Sequence, residues 1–214
     1  MAISPRLIRG GIILVDAQTS AVLRIITLQY NPETLSRSLQ IKGAGGEAGD
    51  HLEAMRLKGP PVETIKLEAE IDVTDQLEAG DAQAAALGLH PQLAMLELIV
   101  YPSSGQLLAN NSEAKSGTLE IAPAEAPLTL FVWSTNRILP VRLTEFNITE
   151  EAFDAALNPV RAKLSLGMRV LTVDDLGFDH RGGNLFLSYL QQKEQLANKS
   201  KGGTFGNLGI TGLP

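Results

Sequence analysis

Three carboxylates on one predicted strand have the spacing in this chain that best suits chemistry. Apolar and polar residues alternate through Val62–Thr74, and Glu68, Glu70 and Asp72 all fall on the polar side. Strand side chains two residues apart point to the same face, so the three carboxylates form one row. Such a row could bind a cation or perform acid–base catalysis. A solvated strand face, or the wall of a channel, explains the same residues without catalysis, and we favour that interpretation.

No other residue pattern predicts catalysis or cofactor binding. The three histidines, His51, His90 and His180, lack the spacing of metal ligands. The glycine-rich stretch 43–49 does not join a buried parallel strand to a helix, as a phosphate-binding loop would. The chain has no cysteine and no Gly-x-Ser-x-Gly sequence. The sequence therefore predicts that the protein is not an enzyme and has no metal or cofactor.

Charge and hydropathy exclude two classes of partner. The net charge of −6 argues against a basic nucleic-acid-binding face. No apolar run approaches the roughly 20 residues that span a bilayer, so we expect no direct membrane insertion. Pro5, Arg6 and Arg9 interrupt the apolar core that a signal peptide would need. We therefore expect no export by the general secretory route.

The order of predicted elements indicates an α+β fold. Mainly antiparallel strands, curled into a β-barrel or sandwich, would carry a flanking helix pair and a C-terminal helix. Strands are predicted at 11–16, 22–30, 36–42, 62–74, 118–121 and in three runs between 128 and 173; helices at 75–101 and 184–198; and long loops at 43–61 and 103–117. A β-bulge near Glu145 would bring the apolar residues on either side of it into phase.

The strand that contains Phe131 and Trp133 is apolar on both faces. Leu128, Leu130 and Val132 point one way, and Phe131 and Trp133 point the other. A strand buried on both sides lies between two layers or against another chain. Aromatic residues are enriched at interface centres and in cores alike, so both interpretations stay open for this pair.

The long loop 43–61 provides the second set of interface candidates. Leu52, Met55 and Leu57 are apolar residues in a segment that Gly and Pro bound at both ends. Loops of this length without secondary structure are uncommon in compact domains and are often functional. We expect a partner to cover these three side chains.

At the level of whole segments, the chain resembles the tube-like adaptor family of contractile injection systems, the phage-tail-like particles of bacteria. No single segment is chemically diagnostic, but their order over most of residues 28–189 is specific. The segments that carry the resemblance are Leu28–Arg37, Leu87–Leu98, Phe131–Val141, Ile148–Val173 and Gly182–Tyr189.

The resemblance implies a phage tail-tube fold that closes into a hexameric ring at the junction of inner tube and baseplate spike. Its implied partners are further copies of itself, inner tube proteins, a trimeric spike protein and baseplate wedge proteins. Glu68, Glu70 and Asp72 would face the lumen, and the 43–61 loop would reach a neighbour. The particle would assemble in the cytoplasm of the producing bacterium, and its release is left open.

The resemblance and the residue patterns divide the chain into three parts and leave three other functions open. We expect a tube-like β domain over residues 1–175, a helical extension over 176–198 and a flexible Gly-rich tail over 199–214. The family often carries a LysM module after this domain, and the present sequence shows none.

The alternative functions are a tube protein of the shaft, a monomeric ligand-binding β-barrel, and a hydrolase that uses the carboxylate row.

Overall fold

A single seven-stranded antiparallel sheet organises the chain. The computed structural model describes residues 8–16, 19–43, 56–116 and 126–213. The strands in these ranges are β1 (Gly11–Val15), β2 (Val22–Thr27), β3 (Leu35–Gln40), β4 (Val62–Asp72), β5 (Leu128–Ser134), β6 (Arg137–Phe153) and β7 (Pro159–Val170). Their order across the sheet is β2-β1-β5-β6-β7-β4-β3.

The helices lie between β4 and β5 and after β7. They are α1 (Thr74–Glu78), α2 (Ala82–Leu87), α3 (His90–Glu97), α4 (Ser104–Lys115), α5 (Val173–Leu176) and α6 (Arg181–Lys199), and a 3₁₀ helix follows at Phe205–Leu208. The predicted α+β class and the antiparallel pairing are therefore confirmed.

The described sheet is open, so closure into a barrel is not observed. β2 and β3 are its two edges, and neither pairs with the other. One side-chain amide nevertheless joins the β2 end to β4. Gln29 Nε2 donates a hydrogen bond to the carbonyl oxygen of Asp72 at 2.7 Å, and the Asp72 N–H donates to Gln29 Oε1 at 2.9 Å.

Strand alternation builds the main core. In β4, Ile65, Leu67, Ala69 and Ile71 are buried and alternate with exposed or half-buried polar residues. β5 is buried on both faces, as predicted. Phe131 belongs to the main core, whereas Leu128 and Leu130 form a second cluster. That second cluster also contains Val15, with Leu176 of α5 and Leu185 of α6 packed against it.

The bulge predicted near Glu145 is present. The register of β6 against β7 shifts between Leu143 and Glu145. On the facing strand, Gly167 allows the bulged chain to approach, since a Cβ there would lie 2.8 Å from the Glu145 Cβ. The shift returns Phe146 and Ile148 to the core side, where they pack against the buried cluster.

The prediction of a polar loop at 103–117 is wrong, because the segment contains helix α4. Its serines and asparagines suggested a loop, but Ser103 instead caps the helix by accepting a hydrogen bond from the Gln106 N–H at 3.2 Å. No residue of α4 is buried. The strand predicted at 118–121 lies outside the described residues.

Candidate functional site

The three predicted carboxylates lie on one side of the sheet together with residues from β7 and β6. Glu68, Glu70 and Asp72 face Ser165, Lys163 and Arg161 across the β4–β7 pair. Residues directly opposite each other in an antiparallel pair share a face. We call this surface the polar face, and its members are Lys66, Glu68, Glu70, Asp72, Glu145, Asn147, Thr149, Glu151, Arg161, Lys163 and Ser165.

Arg161 forms ion pairs with two of the three carboxylates. Its Nε lies 2.8 Å from Asp72 Oδ2 and 3.2 Å from Glu70 Oε1. Burial works to raise the pKa of Asp72, but hydrogen bonds from Thr74 and Arg161 outweigh it and leave the pKa below its usual value. Asp72 is thus held in its ionised form, as expected of an ion-pair ladder and not of a general acid.

Two lysines form further pairs across the polar face. Lys66 Nζ lies 2.9 Å from Glu145 Oε2, and its hydrogen bond holds the pKa of Glu145 below the usual value. Lys163 Nζ lies 2.9 Å from Glu151 Oε1, and that hydrogen bond raises the pKa of Lys163. The side chain of Glu68 is exposed, and among the described residues it has no hydrogen-bond or ion-pair partner.

A groove of about 720 Å³ runs over the polar face beside the β2–β3 connection. Tyr30, Asn31, Pro32 and Glu33 form one wall, and residues of β4, β7 and β6 form the floor. We call it the β4 groove. Its floor offers the hydroxyl and amide groups of Asn147, Thr149 and Ser165 together with the Glu68, Glu70 and Asp72 carboxylates.

Both edge strands of the sheet expose apolar side chains. On β2, Ile25 is 59% exposed and Leu23 is 53% exposed. On β3, Leu39 is 47% exposed, and Ile41 directly after the strand is 72% exposed. An edge strand carries unpaired backbone groups as well, and apolar edges of this kind are prone to pair with another chain.

The predicted interface aromatics lie mainly inside the chain. Phe131 is 1% exposed and Trp133 is half-buried. Their rings stack with centroids 5.9 Å apart and planes inclined by 22°. Phe131 therefore packs within its own core, and contact with a neighbouring copy stays a prediction for Trp133 and its surroundings.

Of the predicted loop contacts, only Leu57 lies in the described part of the chain. It is exposed and bridges to Gly43, and the Lys58 N–H donates to the Lys42 carbonyl at 2.9 Å. These bonds bring the two ends of the 43–61 segment together. Leu52 and Met55 lie outside the described residues.

Of the three histidines, His180 has a local structural role. His180 caps α6, because its Nδ1 accepts a hydrogen bond from the Gly182 N–H at 3.0 Å. His90 is exposed at the start of α3, and His51 lies outside the described residues. Within the described ranges, no three His, Asp or Glu side chains are grouped as metal ligands would be.

An ion-pair cluster around a buried carboxylate on the core side was not predicted from the sequence. Glu63 is 4% exposed and accepts a hydrogen bond from Arg37 Nε at 2.7 Å. Lys193 Nζ lies 3.5 Å from the other Glu63 oxygen and 4.3 Å from the centre of the Tyr189 ring. Arg37 also donates to the Tyr189 hydroxyl at 3.2 Å. The cluster joins β3, β4 and α6.

No protein-family model and no curated protein matches the chain. No helix among the described residues is long and apolar enough to span a membrane.

Proposed function

We propose that the chain is a structural subunit of a contractile injection system, forming a hexameric ring of the phage tail-tube type where the inner tube meets the baseplate spike. In this proposal its partners are other copies of itself, the inner tube, the trimeric spike and the baseplate wedges. It performs no catalysis, and the particle assembles in the cytoplasm of the producing bacterium.

The open sheet with two apolar edges carries the proposal. In a ring, β2 of one copy pairs with β3 of the next, and the sheet continues from subunit to subunit. That contact covers Ile25 and Leu39 and satisfies the unpaired backbone groups of both edges. Because β2 and β3 are different surfaces, the contact is heterologous, and such contacts generate closed rings when the rotation allows it.

The polar face supports a lumen lining. Its side chains are charged or hydroxyl- and amide-bearing, and the cations and carboxylates are largely paired along the strands. Paired charges give a hydrated wall without a strong single-sign field, which suits passage of another molecule. The resemblance of segments within residues 28–189 to the tube-like adaptor family favours a contractile injection system over other ring-forming assemblies.

Co-expression with the tube and spike proteins of the same particle tests the proposal. We expect the chain to purify with both proteins and to form ring-shaped particles in electron micrographs. A strict monomer in light scattering at high concentration, with neither protein recovered, would contradict it. The number of copies per particle separates one junction ring from a tube protein that fills the shaft.

A further inference from the structure

The two edge strands of the sheet are arranged as the halves of one interrupted strand. Every neighbouring pair between β2 and β3 is antiparallel and the sheet has seven strands, so β2 and β3 run in the same sense through it. Only residues 28–34 lie between them. Because β2 pairs with β1 and β3 pairs with β4, the run 22–40 connects one side of the sheet to the other.

A proline explains why the run is interrupted. Extending the β3–β4 register back along the chain would place Pro32 opposite Glu70 and Tyr30 opposite Asp72. The backbone groups of Asp72 point to this edge, and those of Glu70 do so as well, since they alternate along a strand. Pro32 has no N–H to donate to Glu70 there, so regular pairing stops before this point.

The side chain of Gln29 takes the place of the missing ladder on the β4 side. Its Nε2 donates to the Asp72 carbonyl at 2.7 Å, and its Oε1 accepts from the Asp72 N–H at 2.9 Å. A side-chain amide carries the same donor and acceptor as a peptide group. Gln29 therefore pairs with Asp72 as a residue of an antiparallel strand would.

Asn31 makes the equivalent contact on the β1 side. Its Nδ2 donates to the Ile8 carbonyl at 2.8 Å, and its Oδ1 accepts from the Gly10 N–H at 2.9 Å. The Leu28 N–H also donates to the Gly10 carbonyl at 2.9 Å. We call Gln29 and Asn31, which are both half-buried, the amide clasp. The clasp fastens the 28–34 connection to both sides of the sheet.

The orientation of β2 relative to β3 determines how a ring closes. In a ring built from β2–β3 contacts, these two edges of each subunit set the rotation from one copy to the next. Six copies need about 60° per copy and seven need about 51°, so a change of roughly 10° gives a different ring. The long route from β2 to β3 crosses five strands, and twist between neighbouring strands varies from about 10° to 35°. The sheet alone therefore leaves the angle loosely defined.

We propose that the amide clasp fixes the curl of the sheet and thereby selects the number of copies in the ring. Gln29 and Asn31 are positioning residues in this inference, because they act through the orientation of the two edges and need not touch a neighbouring copy. The selection of copy number rests on the proposed ring, whereas the effect of the clasp on the sheet can be measured in a single chain.

Distance measurements between the two edges test the clasp without a ring. The chain has no cysteine, so Leu23→Cys on β2 and Ser38→Cys on β3, both exposed, can be spin-labelled specifically. The Ile25→Lys substitution and an excess of unlabelled protein keep labels of different copies apart. Double electron–electron resonance then gives the distribution of distances between β2 and β3.

The test variant combines Gln29→Met with Asn31→Leu, which keep the side-chain size but remove the hydrogen bonds. We expect the distance distribution to become about twofold wider, because the edges are free to take several orientations. Gln191→Met with Asn111→Leu, at exposed positions of α6 and α4, is the matched control and should leave the width unchanged. Equal widths with and without the clasp would overturn the inference. Circular dichroism checks folding, and if the double variant is unfolded, Gln29→Met alone is judged by the same criterion.

Counting copies separates failure of the clasp from failure of the ring. Native mass spectrometry of chains without labels or the Ile25→Lys substitution should give one copy number for the unmodified protein and several for the clasp variant. The same single copy number for both would overturn the selection of ring size. If the unmodified chain forms no ring, a broadened distance distribution would still uphold the clasp and the proposed ring would be wrong.

Discussion

Glu63 is a carboxylate on the side of β4 that otherwise carries core residues. It shares that side with Ile65 and Leu67, so its charge is buried and must be matched locally. Arg37 supplies a direct hydrogen bond and Lys193 a second positive charge. A buried carboxylate of this kind contributes mainly by fixing which elements meet, because removing one partner leaves the others uncompensated.

Replacing Glu63 with alanine should lower the free energy of unfolding by about 2 kcal/mol. Arg37 and Lys193 would lose their shared partner at the junction of β3, β4 and α6. The matched control is Glu68→Ala, the same substitution on the exposed side of the same strand, which should change stability by less than about 0.5 kcal/mol. Urea denaturation of both variants checks this, and equal losses would contradict the argument.

Asp72 makes stability depend on pH. Its pKa is lowered in the folded chain, so it contributes stability that is fully present above the pKa of an unfolded aspartate, about 3.9. That contribution is lost as pH falls through the lower folded value. We expect Asp72→Asn to destabilise the chain at pH 7 and to differ progressively less from the unmodified chain below pH 4.

Urea unfolding at pH 7 and pH 3 measures the effect of Asp72→Asn. Glu78→Gln, an exposed carboxylate in α1, is the control and should leave stability nearly unchanged at both pH values. A destabilisation by Asp72→Asn that stays the same at both pH values would show that its hydrogen bonds, and not its charge, matter.

Helices α4 and α6 differ in what holds them. α4 is 12 residues long with no buried residue, so it depends on its capping and its own hydrogen bonds. α6 is 19 residues long and buries Phe186 and Tyr189 in the main core. Tertiary packing therefore stabilises α6 and leaves α4 close to the limit of independent stability.

A proline placed at an exposed position of each helix should affect global stability differently in α4 and α6. Ser188→Pro in α6 should cost about 3 kcal/mol or more, because it breaks a helix that the core requires. Ala109→Pro in α4 should unfold that helix locally and change the global free energy of unfolding by less than about 1 kcal/mol. Circular dichroism and urea denaturation of both variants test this, and comparable global losses would contradict it.

Local patterns in the sequence were sufficient for most strands but not for contacts between distant segments. Alternation in 62–74 and the phase change near Glu145 each carry their own signal, and both were predicted. Glu63 also has a local signal, because a charged residue lies in phase with the apolar Ile65 and Leu67. Its buried ion pair was nevertheless not predicted. Gln29 looks like any polar residue after a strand, and its pairing with Asp72 depends on how the sheet curls.

At the scale of the molecule, the two sheet edges are unlike each other. β2 exposes Leu23 and Ile25, whereas β3 exposes Leu39 among serine and arginine residues. Two copies joined through the same kind of edge would form an isologous dimer, and assembly through that edge would end at two copies. Copies joined β2 to β3 repeat the same contact around an axis, as the proposed ring requires.

Edge variants that complement each other can tell these arrangements apart. Ile25→Lys should disable β2, and Leu39→Lys should disable β3, with folding preserved because both side chains are substantially exposed. Each variant alone should be monomeric. An equal mixture should give dimers and nothing larger. The Ile25→Lys variant keeps a competent β3 and the Leu39→Lys variant keeps a competent β2, so only this one pair of edges can join. Native mass spectrometry counts the copies. Dimers formed by either variant alone would show that like edges pair, and the ring contact proposed above would then be wrong.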